Sequence, residues 1–228
     1  MRKYLIVAAI ALVAGFVGAA LWSLAGLGHG STRDYLVANP EILPQMAEAL
    51  QRQEAEQRLA QLGDEAMRGF PGAVLGNPDG SRTLVKFTDY ACTYCKASVS
   101  DIERLVENDP ELKVVVREWP IFEGSEEAAR MGLAAAEQGK YDAFYHAMFE
   151  RGPPTAESID QAARDAGLDM ARAEQIAASD AVSQELARNM AHARQLGFTG
   201  TPSWVAGDEV LQGAVGYERL SEAMEDVG

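Results

Sequence analysis

The stretch LVKFTDYACTYCKAS, residues 84–98, decides how this chain is read. Thr83 to Phe87 form an apolar, β-branched run suited to a buried strand, preceded by turn chemistry in Asn77-Pro78-Asp79-Gly80-Ser81. The run leads directly to Cys92 and Cys95, and the 228-residue chain has no other cysteine. Val99, Ile102, Leu105 and Val106 follow at helical spacing. Cys92 therefore falls at or just before the first turn of a helix, which ends near Asn108-Asp109-Pro110.

A cysteine pair with two residues between has three readings. A structural zinc takes four ligands, and His29, His146 and His192 are not paired at ligand spacing, so no metal ligand is assigned. Two thiolates alone could still hold Cu(I), and two inert buried cysteines are the plainest alternative. The redox reading has a positive physical case. A helix N-terminus carries about half a positive charge and free N–H groups, which favour a thiolate at Cys92. Cys95, three residues on, faces the same side and can resolve a mixed disulfide.

Outward from this site, the second core strand is LKVVVREW, residues 112–119, closed by Pro120. Ser125, ahead of Glu126 and Glu127, reads as the N-cap of a long helical stretch. Tyr141, Phe144, Tyr145, Met148 and Phe149 form a stripe at i, i+3, i+4, i+7, i+8, read as core. Pro153-Pro154 breaks the chain, Thr155 caps the next helix and Gly167 ends it. Val182, Leu186, Met190 and Ala193 mark a last long helix stopped by Gly197. Residues 201–214 read as two short strands around Gly207-Asp208, and a helix from Tyr217 to Met224 follows. Residues 71–228 thus predict an α/β domain with a helical insertion at about 125–197.

The amino terminus is of another kind. Arg2 and Lys3 precede an uncharged run from Tyr4 to Gly28. As helix this is about 37 Å, enough to cross a hydrocarbon core of about 30 Å. Residues 1–28 are expected to be a signal peptide or a signal-anchor. Trp22, Leu24 and Leu27 extend the run past the small residues at 18–20 and favour the anchor. Everything after Gly28 is then exported, to a compartment that permits disulfides. Residues 29–70 read as a polar hinge followed by an amphipathic helical segment. Ile42, Leu43, Met46, Ala49 and Leu50 recur at helical spacing, and Ala55, Leu59, Leu62 and Ala66 resume it. Such a narrow stripe, spanning residues 39–67, predicts either self-association or packing on the chain's own domain. A net charge of -14 excludes the basic face of a nucleic-acid binder.

Three separated segments, LVKFTDYACTYCKAS, VVREWPIFEGSEEAAR and LGFTGTPSWVAGDEVLQGA, resemble in that order the DsbA-like branch of the thioredoxin superfamily. NPEILPQMAEAL, residues 39–50, is similar to the segment of the anchored or trimeric ScsC-type members. The resemblance implies a thioredoxin-like fold and an extracytoplasmic thiol–disulfide oxidoreductase on the periplasmic side of the inner membrane. Catalysis would rest on Cys92 and Cys95 without a cofactor. It further implies a cis proline at Pro202, with Thr201 and Pro202 contacting an extended substrate segment. Expected partners are exported cysteine-containing proteins and a membrane redox partner, either a quinone-linked oxidant or an electron-transferring reductant. Thr201 and residues 39–67 favour an isomerase or reductase; a disulfide-donating oxidase, or a non-enzymatic Cu(I)-binding or scaffold protein, are the alternatives. One position departs from the family: an acid is common six residues before the first cysteine, and this chain has Lys86. Buried near the sulfurs, Lys86 would modulate the Cys92 pKa or be partly neutral; snorkelling to the surface, it would do neither.

Overall fold

Alternation along the two core strands sets where everything else packs. In a computed structural model that describes residues 2–24, 27–225 and 227, though not the side chains of 2, 5, 6, 8, 9, 24 and 27–31, the chain divides into two compact units, Met1–Gln51 and Arg52–Gly228. The first holds α1 (Arg2–Leu24), α2 (Leu27–Ala38) and the start of α3 (Ile42–Leu62). Among the described residues no helix is long and apolar enough to cross a membrane. The expected membrane segment at residues 4–28 is thus not carried by the described structure; that run includes residues 25 and 26 and several side chains outside the description. The start of residues 29–70, expected as a polar hinge, is helical and part of α2, a run in which no proline stands before Pro40 to interrupt it. Leu43, Met46 and Leu50 on α3 are exposed.

The second unit takes in the rest of α3, a 3-10 turn at Gly63–Met67, and a five-stranded sheet. The strands are β1 (Val74–Gly76), β2 (Arg82–Thr88), β3 (Leu112–Glu118), β4 (Ser203–Ala206) and β5 (Glu209–Gln212), ordered β1-β3-β2-β4-β5. Only β2 and β3 run parallel; β1, β4 and β5 pair antiparallel with their neighbours. Between β2 and β3 lie α4 (Thr93–Ala97) and α5 (Val99–Asn108). Between β3 and β4 lie α6 (Ser125–Glu137), α7 (Tyr141–Arg151), α8 (Ala156–Asp165), α9 (Met170–Ala177) and α10 (Asp180–Leu196). A final helix, α11 (Tyr217–Glu225), follows β5.

With a side-chain period of two, Leu84 and Lys86 point to one face of the sheet and Val85 and Phe87 to the other. Leu84, Val114, Val116 and Trp204 join the stripe of α7 (Tyr141, Phe144, Tyr145, Met148, Phe149) in the larger core. Val85, Phe87, Val115 and Val205 pack with Leu59, Ala66, Leu196 and Phe198 in the smaller one. The second half of the α3 stripe thus packs on its own unit. The same alternation sends Arg117 into this second face, 1 % exposed. Its guanidinium donates to the Glu65 and Arg68 carbonyls, donates to Asn189 Oδ1 at 3.0 Å, and lies 2.9 Å from His192 Nδ1.

Two local expectations give way. Gly124, at φ 82°, caps α6, and Ser125 is its first helical residue. The Ser125 hydroxyl turns away to donate to the Phe122 carbonyl and to Asp89. On α10 the inward position is Asn189, which donates to the Glu118 carbonyl at 3.1 Å, so Met190 is exposed. Thr155 does cap α8, in a capping box with Ser158.

Candidate active site

Strand β2 ends at Thr88, and the turn Asp89-Tyr90-Ala91 delivers Cys92 to the N-cap of α4. Cys92 is extended (φ -81°, ψ 117°), so its side chain folds back over the helix end and accepts from the Cys95 N–H at 3.4 Å. Both cysteines are free thiols, Cys92 at 4 % exposure and Cys95 at 0 %. Tyr94, between them, stands 67 % exposed.

The third part of the site comes from far along the chain. The Thr201–Pro202 peptide bond is cis, and the Cys92 thiol donates to the Thr201 carbonyl at 3.1 Å. The structure therefore brings Cys92, Cys95 and Thr201 together around one sulfur, with Pro202 next in line. The Thr201 hydroxyl is buried and has no hydrogen-bond partner among the described residues, which leaves it free to turn to the sulfurs.

These contacts separate the two thiols. Cys92 is pulled down to about 5: a hydrogen bond from the Cys95 thiol does most, and the Thr201 hydroxyl and the Cys95 and Tyr94 N–H groups add to it against the cost of burial. Cys95 is pushed far above the ordinary thiol range, first by burial and then by its hydrogen bond to Cys92. One sulfur is set to be a thiolate and the other to hold its proton.

Lys86 lies inside the molecule, at 0 % exposure. Its ammonium donates to Tyr145 OH at 2.6 Å and Ser98 Oγ at 3.0 Å, and Ser98 Oγ donates to the Cys95 carbonyl at 2.8 Å. The rings of Trp204, Tyr145 and Phe149 lie 5.2, 5.3 and 5.7 Å from the nitrogen. Burial lowers its pKa to about 8; Cys95, then Glu118, then Cys92 pull it back up. Lys86 thus bears first on a thiolate at Cys95, once that thiol gives up its proton.

Two carboxylates at the site escaped the sequence reading. Glu118, at the end of β3, is fully buried and accepts from Tyr141 OH at 2.6 Å and Tyr90 OH at 2.9 Å. Burial raises its pKa to about 8, against the tyrosine donors that favour the carboxylate. Asp89, 1 % exposed, sits in the turn that carries Cys92. The sequence signal for both was a charge in or directly after an otherwise apolar strand. Among the described residues no three His, Cys, Asp or Glu side chains converge as a metal site.

Comparison with known proteins follows the same lines. Residues 83–225 match the family described as the DSBA-like thioredoxin domain, and residues 32–57 match the copper resistance protein ScsC N-terminal domain. A thioredoxin-like oxidoreductase from Silicibacter pomeroyi DSS-3 is 41 % identical with a TM-score of 0.63, covering 66 % of this chain and 88 % of that one. The thiol-disulfide exchange protein alpha-DsbA2 of Wolbachia pipientis is 27 % identical with a TM-score of 0.70, covering 77 % and 96 %. Proteus mirabilis ScsC in a transitional conformation is 29 % identical with a TM-score of 0.67, covering 86 % and 92 %. A curated relative, the Na(+)/H(+) antiporter NhaA of Herminiimonas arsenicoxydans, is 28 % identical over 154 residues, 67 % of this chain. The chain spans only 25 % of that relative's length.

Proposed function

The chain belongs to the DSBA-like thioredoxin domain family, and from that premise we propose that it is an extracytoplasmic thiol–disulfide oxidoreductase working through Cys92 and Cys95. The observation that carries the reading is the divided pair: a Cys92 sulfur at the N-cap of α4 that accepts from the Cys95 N–H at 3.4 Å and is favoured as thiolate, beside a buried Cys95 that holds its proton.

In the reductive direction the Cys92 thiolate attacks one sulfur of a substrate disulfide. That S–S bond breaks, the leaving substrate thiolate takes up a proton, and a Cys92–substrate disulfide forms. Cys95 then loses its proton and attacks Cys92 sulfur, releasing the second substrate thiol. The substrate gains two electrons and Cys92–Cys95 is left oxidised. Run backwards, the same steps donate a disulfide. An extended substrate segment would pair with the backbone at Thr201, beside Pro202. Both electrons reside on the two sulfurs, so the reaction needs no cofactor.

A thiolate at about 5 lies between the values of about 7 in thioredoxin and about 3.5 in DsbA. Stabilising the reduced form to that extent makes the disulfide more oxidising than thioredoxin's and less so than DsbA's, so the isomerase or reductase reading rests on Thr201 and the α3 face and not on this thiolate. Exposed Leu43, Met46 and Leu50 support self-association through α3, which would place several sites on one assembly. The apolar amino-terminal run supports export and tethering beside a membrane redox partner, with exported cysteine-containing proteins as substrates. Refolding of scrambled ribonuclease by the full chain tests the reading, with Leu43, Met46 and Leu50 changed together to Gln as the comparison. Unscrambling that falls when the assembly falls, while glutathione exchange persists, is the expected result. Oxidation of reduced ribonuclease without unscrambling would make the protein a disulfide donor. Absence of any exchange, or its survival in Cys92→Ser, would overturn the proposal.

A further inference from the structure

The turn that carries Cys92 is tied to a distant part of the chain through one side chain. Asp89 Oδ1 accepts from the Ala91 N–H at 2.7 Å, within the cysteine turn. Its Oδ2 accepts from the Ile121 N–H at 2.6 Å, the Phe122 N–H at 3.0 Å and Ser125 Oγ at 2.8 Å, all in the lead from β3 into α6. The Asp89 carbonyl also accepts from the Cys92 N–H at 3.1 Å. Both oxygens of the carboxylate are thus engaged in a dry setting, Oδ1 by one donor and Oδ2 by three, the condition under which a buried charge is stabilising and hard to replace. Nothing in thiol exchange itself uses this side chain.

We propose that Asp89 is a positioning residue for the exchange reaction, locking the Ala91–Cys92 turn to the start of the helical insertion so that Cys92 sulfur meets the Cys95 N–H and Thr201. This rests on the reading of Cys92 as the exchanging sulfur. Asn at position 89 tests it because an amide has an oxygen on one side only. If the oxygen keeps the three donors of the insertion lead, its NH2 faces the Ala91 N–H, and that half of the tie is lost. Cys92 then drifts from the N–H groups that favour its thiolate. Simple removal of a negative charge near a thiolate would act in the opposite sense and lower its pKa.

The experiment is ultraviolet titration of the Cys92 thiolate in the reduced full chain for wild type, Asp89→Asn and Ser125→Ala. Asp89→Asn is expected to raise the midpoint by about half a pH unit or more, about a threefold shift in the thiol–thiolate equilibrium. Ser125→Ala, which leaves the Ala91 bond intact, is expected to leave the midpoint in place. An unmoved or lowered midpoint in Asp89→Asn overturns the proposal even if melting falls, and so does an equal rise in Ser125→Ala. Should Asp89→Asn not fold, amide hydrogen exchange on the wild type decides. Ala91, Ile121 and Phe122 are expected to be protected alike and to open together; free exchange at Ala91 alone refutes the tie. Titration needs no exchange partner, so its failure leaves the exchange reading standing, while a wild type inert to glutathione would sink that reading instead.

Discussion

Replacing Lys86 by Met should make the dithiol protein slightly more stable at neutral pH and less stable in strong alkali. The side chains have similar length, so the packing space is kept, and the difference is electrical. A depression from about 10.4, the ordinary lysine value, to about 8 corresponds to about 3 kcal/mol at about 1.4 kcal/mol per pH unit. Between those two pH values the unfolded chain holds the proton that the folded one has released, so stability rises with pH across the window. Below about 8 the full cost of the buried cation is present; above about 10.4 it has gone. Against this stand two lost hydrogen bonds, to Tyr145 and Ser98, at about 1 kcal/mol each. The variant should therefore gain about 1 kcal/mol at pH 7 and lose about 2 kcal/mol above pH 10. Urea unfolding of reduced protein at several pH values reads the difference directly. A variant destabilised by more than about 2 kcal/mol at pH 7 would show that the cation is not costly where it sits, and would refute the burial reasoning. The same change should slow resolution by Cys95, whose deprotonation Lys86 assists, so mixed disulfides should live longer.

Three further outcomes are expected. Cys95→Ala should raise the Cys92 midpoint well above about 5, because the Cys95 thiol is the largest influence lowering it; ultraviolet titration of the variant checks this. Glu118→Gln should be within about 1 kcal/mol of wild type at about pH 4, where the carboxyl is protonated in both the folded and the unfolded chain, and more stable than wild type at pH 9. The sign follows from its raised pKa: the folded state holds a proton that the unfolded one has lost, so wild-type stability falls as pH rises towards about 8, which denaturation at the two pH values would reveal. Gly72→Ala should cost at least about 2 kcal/mol in urea unfolding, since Gly72 sits at φ 82° and a Cβ there would lie 2.5 Å from the Ala136 carbonyl oxygen.

Much of the α/β unit could be read from pattern because its long elements have clean periods. The β2 and β3 runs, the α7 stripe and the hairpin at Gly207-Asp208 all appear where the residues point. The three-residue β1 is too short to carry a period, and it exists because Val74 to Gly76 pair with β3. The cysteine pair was legible from its spacing and its place after a strand. Thr201 was not: it reaches Cys92 across 109 residues of sequence, and only family likeness pointed to it. Lys86 was seen, but whether it buries or snorkels depends on Tyr145 and Ser98 accepting its protons, which no local pattern states. Asp89 and Glu118 were passed over for the same reason. A charge beside an apolar strand looks like a strand end until its donors, 32 or 23 residues away, are in view.

The guanidinium of Arg117 has a practical bearing on how fragments of this protein are cut. A boundary drawn at Pro71 looks natural, yet it would delete Glu65 and Arg68, whose carbonyls accept from that buried cation, and Leu59 and Ala66, which close the second face of the sheet. Such a fragment would keep every residue of the exchange site and still carry an uncompensated charge and an opened apolar surface, so it should aggregate or be degraded. Expression clones should begin no later than Arg52, and a protease that cuts near residue 69 should inactivate the protein without touching a cysteine.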